Sequence, residues 1–126
     1  MNKLLQEWVS KSDEDFRSAQ VLLADESPLV APALFHLQQC VEKLLKVLLI
    51  QDGVDFERRH DLSYLHRLCQ ESDFVEDEDL FLELNPFAVE FRYPGDLPVF
   101  SIKEARSLMS RVSRFRDVIR PMILGP

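Results

Sequence analysis

Glycine is scarce in this chain, with only Gly53, Gly95 and Gly125 among 126 residues. Short strands joined by tight turns need far more punctuation than that, so a sandwich or barrel is disfavoured. The two cysteines, Cys40 and Cys69, are too few for a disulfide framework and lie in no CxxC or Cys/His spacing. They read as free thiols of a reducing compartment. The longest apolar or proline-containing run, residues 28–35, is far short of the ~20 residues that cross a bilayer. The opening Met1-Asn2-Lys3-Leu4-Leu5-Gln6-Glu7-Trp8 has no signal-peptide core, so a cytoplasmic protein without membrane association is expected. P-loop, dinucleotide-loop, HExxH and GxSxG signatures are missing, and three histidines without a shared helical face make no metal site. No cofactor is expected.

What is present is amphipathic helix. Residues 5, 8, 9, 12, 16, 19, 22 and 23 recur at spacings of three and four and predict a helix over about 2–25. Asp15 lies at the edge of that stripe and needs a cationic partner once packed. Ser27-Pro28, or alternatively Pro32, starts a second helix that runs to Asp52 and stops at Gly53. Its leucine-rich face is opposed by His36, Gln39, Lys43 and Lys46. That polar line is either a solvated face or a row of donors for a phosphate, carboxylate or partner. Asp61 caps a short third helix. Leu80 to Phe91 keep helical spacing, with Pro86 kinking the helix or restarting it from Asn85. Ser101 and Glu104 form a capping box for a last helix to about Met122. The fold class predicted is all-α, an up-and-down antiparallel bundle of four to five helices in a single domain over residues 1–126.

Charge is uneven. Fifteen basic and twenty-two acidic residues give −7, which argues against a general electrostatic grip on duplex nucleic acid. Six acids fall between Glu71 and Asp79, whereas Lys103, Arg106, Arg111, Arg114, Arg116 and Arg120 cluster near the end. This predicts an acidic flank and a basic flank, read either as solvated surface or as a partner site.

Several stretches together resemble the HEPN family of small helical bundles (higher eukaryotes and prokaryotes nucleotide-binding). They are Trp8, Asp15 and Ala19; the run Phe35-His36-Leu37-Gln38-Gln39-Cys40-Val41-Glu42-Lys43-Leu44-Leu45-Lys46; His60-Asp61-Leu62; and Arg92-Tyr93-Pro94. The resemblance implies a homodimer, often encoded beside a minimal nucleotidyltransferase in two-gene, toxin-antitoxin-like modules. One branch of the family consists of RNases whose motif is an Arg followed, after four to six residues, by His; another is assigned nucleotide or partner binding. Here His36, His60 and His66 all precede Arg92, so the RNase motif is missing from its expected place. Arg59 and His66 match the spacing formally, but at the wrong position. The resemblance therefore favours a nucleotide-, RNA- or partner-binding module using His36, Gln39, Lys43, Lys46, His60, Arg92 and Tyr93. The alternative for Lys43 and Arg92 is that they and Asp15 satisfy one another across the bundle as a structural ion pair. The alternatives are an RNase toxin in which Arg92 works with a non-standard group such as Tyr93, and a purely structural dimer.

Overall fold

The computed structural model describes residues 3–69, 77–89, 93 and 95–123. Among the described residues five α-helices run in the order α1 (Lys3–Ala24), α2 (Val30–Gln51), α3 (Leu62–Leu68), α4 (Asp79–Leu84) and α5 (Ile102–Ile123), with a 3-10 turn at Asn85–Phe87 after α4. No strand occurs among the described residues, and the all-α bundle is the observed fold.

Long-range pairings give the directions of the helices. Ser12 meets Cys40, and the Leu29 amide donates to the Leu22 carbonyl, so α1 and α2 form an antiparallel hairpin. Arg106 reaches the Leu23 carbonyl while Arg116 and Arg120 reach Asp13, so α5 also runs antiparallel to α1. Consequently α2 and α5 run the same way, and Gln51 donates to the Met122 carbonyl where both end. α3 and α4 fill the gap between them.

α2 is the central element. Leu34, Leu37, Val41, Leu44, Leu45, Leu48 and Leu49 are buried, as the leucine periodicity predicts. Gln38, Glu42 and Lys46 are buried as well, so α2 is covered on nearly every side rather than carrying one solvated face. α2 begins at Val30 after an N-cap residue, Leu29, that makes no side-chain cap. Its start thus falls between the two predicted ones. Pro32 is accommodated in the first turn, where a missing N–H costs nothing because no intrahelical acceptor exists there. At the other end Gly53 takes φ 70°, the left-handed conformation that lets the chain turn back.

Asp61 caps α3 as expected, its Oδ1 accepting from the Tyr64 amide at 3.2 Å. Asn85 does not cap the turn that holds Pro86. Its Oδ1 accepts from the Leu62 amide at 2.9 Å, and its Nδ2 donates to Asp61 at 3.2 Å, which ties the end of α4 to the start of α3. Ser101 and Glu104 close the reciprocal box at the start of α5, both bonds at 3.0 Å.

One arginine of the basic flank meets the described end of the acidic flank in a partly exposed contact. Arg111 of α5 grips Asp77 through Nε at 2.6 Å and Nη2 at 2.7 Å, and also bonds Glu83. The Arg111 hydrogen bonds hold the Asp77 carboxyl below its ordinary value of 3.8. A carboxyl depressed in this way stabilises the fold above that value, and the contribution disappears as pH falls through the folded-state value. Arg111→Ala is therefore expected to lower unfolding stability by about 1 kcal/mol at pH 7, the modest figure proper to a half-exposed pair. The gap to wild type should close on acidification below pH 3.8 in urea titrations followed by circular dichroism. Asp61→Ala loses a helix cap and the bond to Asn85 together, and should cost about 1–2 kcal/mol at neutral pH in the same assay.

Candidate functional site

Asp15 is the first of two buried carboxylates that organise the polar side of α2. It sits at the edge of the α1 stripe and is 8% exposed. Its Oδ1 lies 2.9 Å from His36 Nδ1, and its Oδ2 accepts from Lys43 Nζ at 2.5 Å. His36 and Lys43 are seven residues apart, two turns of helix, which aligns both on the row facing α1.

Glu42, 3% exposed, is the second. It accepts from Lys46 Nζ at 3.1 Å and Gln38 Nε2 at 3.1 Å, and lies 3.0 Å from His60 Nδ1. Gln38, Glu42 and Lys46 recur every four residues and form a buried polar row of their own. The loop between α2 and α3 covers that row. Its His60 carbonyl lies 3.4 Å from Gln38 Nε2, and its Phe56 ring lies beneath Lys46 Nζ at 5.8 Å. Gln39 Nε2 donates to Gln38 Oε1 at 2.7 Å, joining the two carboxylate clusters into one run of side chains.

Five of the residues predicted from sequence therefore converge: His36 and Lys43 on Asp15, Lys46 and His60 on Glu42, and Gln39 between them. The expected line of four splits into two rows, because Lys46 belongs with Gln38 and Glu42. The cations are already matched by carboxylates from the same chain, so the strip is a compensated network rather than an open cationic pocket. Tyr93 stands apart: it is 83% exposed, and its backbone forms a turn with Asp96. Arg92 lies outside the described residues. The formal Arg59–His66 motif is split between two places. Arg59 stacks on Tyr64 at 4.1 Å and pairs with Asp61, whereas the buried His66 ring packs on Phe81 at 5.0 Å.

In sequence Glu42 and Gln38 stand out only as members of the run Phe35 to Lys46. The signal that could have singled them out is the spacing Gln38–Glu42–Lys46, a polar row inside a helix whose remaining positions are mostly apolar. Ser12, on the apolar stripe of α1, donates to the Cys40 carbonyl at 2.9 Å, which explains a polar residue there. Burial pushes the Cys40 thiol up to about 11, and Cys69 likewise to about 11, so neither is a reactive thiolate at neutral pH. No group of three or more metal-ligating side chains occurs among the described residues.

The geometry defines an all-α bundle in which two internal carboxylates organise imidazole, ammonium and amide groups along one helix. The chain belongs to the HEPN domain family, whose model matches residues 5–122. It is also similar to a curated protein of Methanocaldococcus jannaschii named "Putative toxin MJ1304", with 38% identity over 60 residues. That match covers 48% of this chain and 38% of the relative, well under two thirds of the relative's length. No solved structure gives a significant match.

Removing one member of a buried ion pair leaves the other charge uncompensated, whereas replacing both with apolar groups does not. Glu42→Ala should therefore lower unfolding stability by about 3 kcal/mol. The double replacement Glu42→Leu with Lys46→Met should cost clearly less. Denaturant titration of the three proteins checks both expectations.

Proposed function

We propose that this chain is a HEPN module of a toxin-antitoxin-like system, working in the cytoplasm as a homodimer beside a minimal nucleotidyltransferase. In this reading it engages RNA or a nucleotide through the polar strip of α2. His36, Gln39 and His60 are the proposed contact residues, Lys43 and Lys46 hold the carboxylates that position them, and Arg92 and Tyr93 are further candidates. The observation that carries the reading is the convergence of α1, α2 and the α2–α3 loop on this strip within a bundle of the HEPN family. The name of the archaeal relative supports the toxin role.

The net charge of −7 makes long-range attraction of RNA weak, so recognition in this reading is short-range, through hydrogen bonds from imidazole and amide groups. His60, with its side chain 60% exposed, and the half-buried His36, Gln39 and Lys43 are the parts of the strip that solvent reaches. Lys46 is buried under the loop and acts through Glu42. Among the described residues no helix is long and apolar enough to cross a membrane.

Induced expression in a bacterial host tests the reading. Growth should stop on induction, and in this reading a minimal nucleotidyltransferase found encoded beside the chain should restore it on co-expression. Replacing His60 and Gln39 together by alanine should relieve the arrest while the purified protein melts within a few degrees of wild type. Undisturbed growth at high expression of folded protein would refute the toxin role.

A further inference from the structure

On the side of α1 that faces α5, one carboxylate oxygen serves two cations. Arg116 and Arg120, one turn apart on α5, both donate to Asp13 Oδ1 through Nη2, at 3.0 Å and 2.6 Å. Two guanidinium groups meeting at a single atom repel each other, and one carboxylate neutralises only one of them. Arg116 is further under-satisfied. Its guanidinium lies on the Phe16 ring at 4.0 Å, and its Nε is buried without a hydrogen-bond partner. Arg120 is 42% exposed and has no acceptor but Asp13 among the described residues. Arg17 adds a third positive charge: it is exposed, lies one turn after Asp13 on the same side of α1, and pairs with no carboxylate among the described residues. Of the neighbouring acids, Glu14 is taken by Lys11 at 3.3 Å, and the exposed Asp117 pairs with neither α5 arginine. Asp13 and Asp15 are two residues apart, about 200° around the helix axis, so this cluster faces away from the α2 strip.

We propose that the groove between α1 and α5 binds a phosphate monoester on Arg116 and Arg120, with Arg17 at its rim. The site is separate from the α2 strip and does not depend on what that strip binds. Local charge selects the ligand. Three arginines gathered around one aspartate leave two positive charges, which a monoester dianion cancels and a diester, with its single charge, does not.

The geometry agrees with that choice. A guanidinium offers parallel N–H groups along its edge, and the oxygens of one tetrahedral phosphate can face two such edges at once. Both forks are already gathered on one atom, so a ligand need not bring them together. Phe16 fixes the plane of Arg116 by stacking, which reduces the freedom lost on binding. Asp13 then has two opposed effects: it holds the arginines in place in the free protein, and its own negative charge weakens the attraction for an anion. A carboxylate that only stapled α5 to α1 has the first effect alone.

Isothermal titration calorimetry of the full chain with methyl phosphate, dimethyl phosphate and sulfate tests the proposal. Methyl phosphate should bind saturably at about pH 7.5 and about tenfold more weakly at about pH 5, where it carries one charge less. Sulfate, a dianion at both values, should lose no affinity. Dimethyl phosphate should bind at least about tenfold more weakly than methyl phosphate at the higher pH. Arg120→Ala leaves the stack of Arg116 on Phe16 in place and should weaken methyl phosphate by about tenfold. Asp13→Asn keeps an acceptor oxygen for the arginines and should tighten binding by about threefold or more. Arg114→Ala removes an exposed positive charge of α5 on the side of Asp77 and should change affinity by less than about twofold. Absence of saturable binding of methyl phosphate to a chain with native circular dichroism overturns the proposal. So does an affinity that Asp13→Asn fails to raise, or one that Arg114→Ala lowers as much as Arg120→Ala. Equal affinity for the monoester and the diester overturns the choice of ligand.

Discussion

Two carboxylates inside the bundle, Asp15 and Glu42, set the terms for everything around α2. Each is almost wholly removed from water, and each is met by one lysine and one histidine from a different position along the chain. Such pairs add little net stability, because desolvation cancels much of the Coulomb attraction. They are costly to break once formed, since the surviving charge has nowhere to go. The packing of α1 on α2, and of the α2–α3 loop over α2, is thereby fixed in register by a few polar contacts. Leucine contacts alone specify register weakly, since hydrophobic surfaces of similar volume interchange with little penalty.

The same contacts constrain function. The lysines of α2 are not available as free anion donors, because each already holds an internal carboxylate. The outer nitrogens of His36 and His60, and the amide of Gln39, are the groups of the strip that the two carboxylates leave unengaged. A surface of that kind does not attract polyanions from a distance, which agrees with the acidic overall charge.

Much of the fold was legible because it follows from periodicity and from local signals of known mechanism. The apolar spacing, the Asp61 cap, the Ser101–Glu104 box and the stop at Gly53 all appear where the residues place them. What sequence could not show was which polar positions on α2 are covered. A helical period assigns residues to angles around an axis, and how far neighbours wrap around that axis depends on the rest of the chain. Lys46 was placed on an outer line because lysine is seldom buried. The loop carrying Phe56 and His60 covers it, and no local pattern within α2 encodes that loop's path. The same limit applies to Arg111, whose partners Asp77 and Glu83 lie 34 and 28 residues away.

The start of α2 shows a related conflict between local and tertiary preference. Ser27 has the better capping side chain, yet its amide donates to Asp25 Oδ2 at 2.9 Å, and the helix begins three residues later behind an uncapped leucine. The Leu29 amide bonds back to the Leu22 carbonyl, closing the α1–α2 hairpin. Starting the helix earlier would place Leu29 inside it and direct that amide away from α1. The hairpin closure sets the register that brings Ser12 to Cys40 and Asp15 to His36 and Lys43. A weak cap is therefore tolerated because the connection it belongs to aligns the polar strip, and a buried carboxylate out of register costs more than a missing cap.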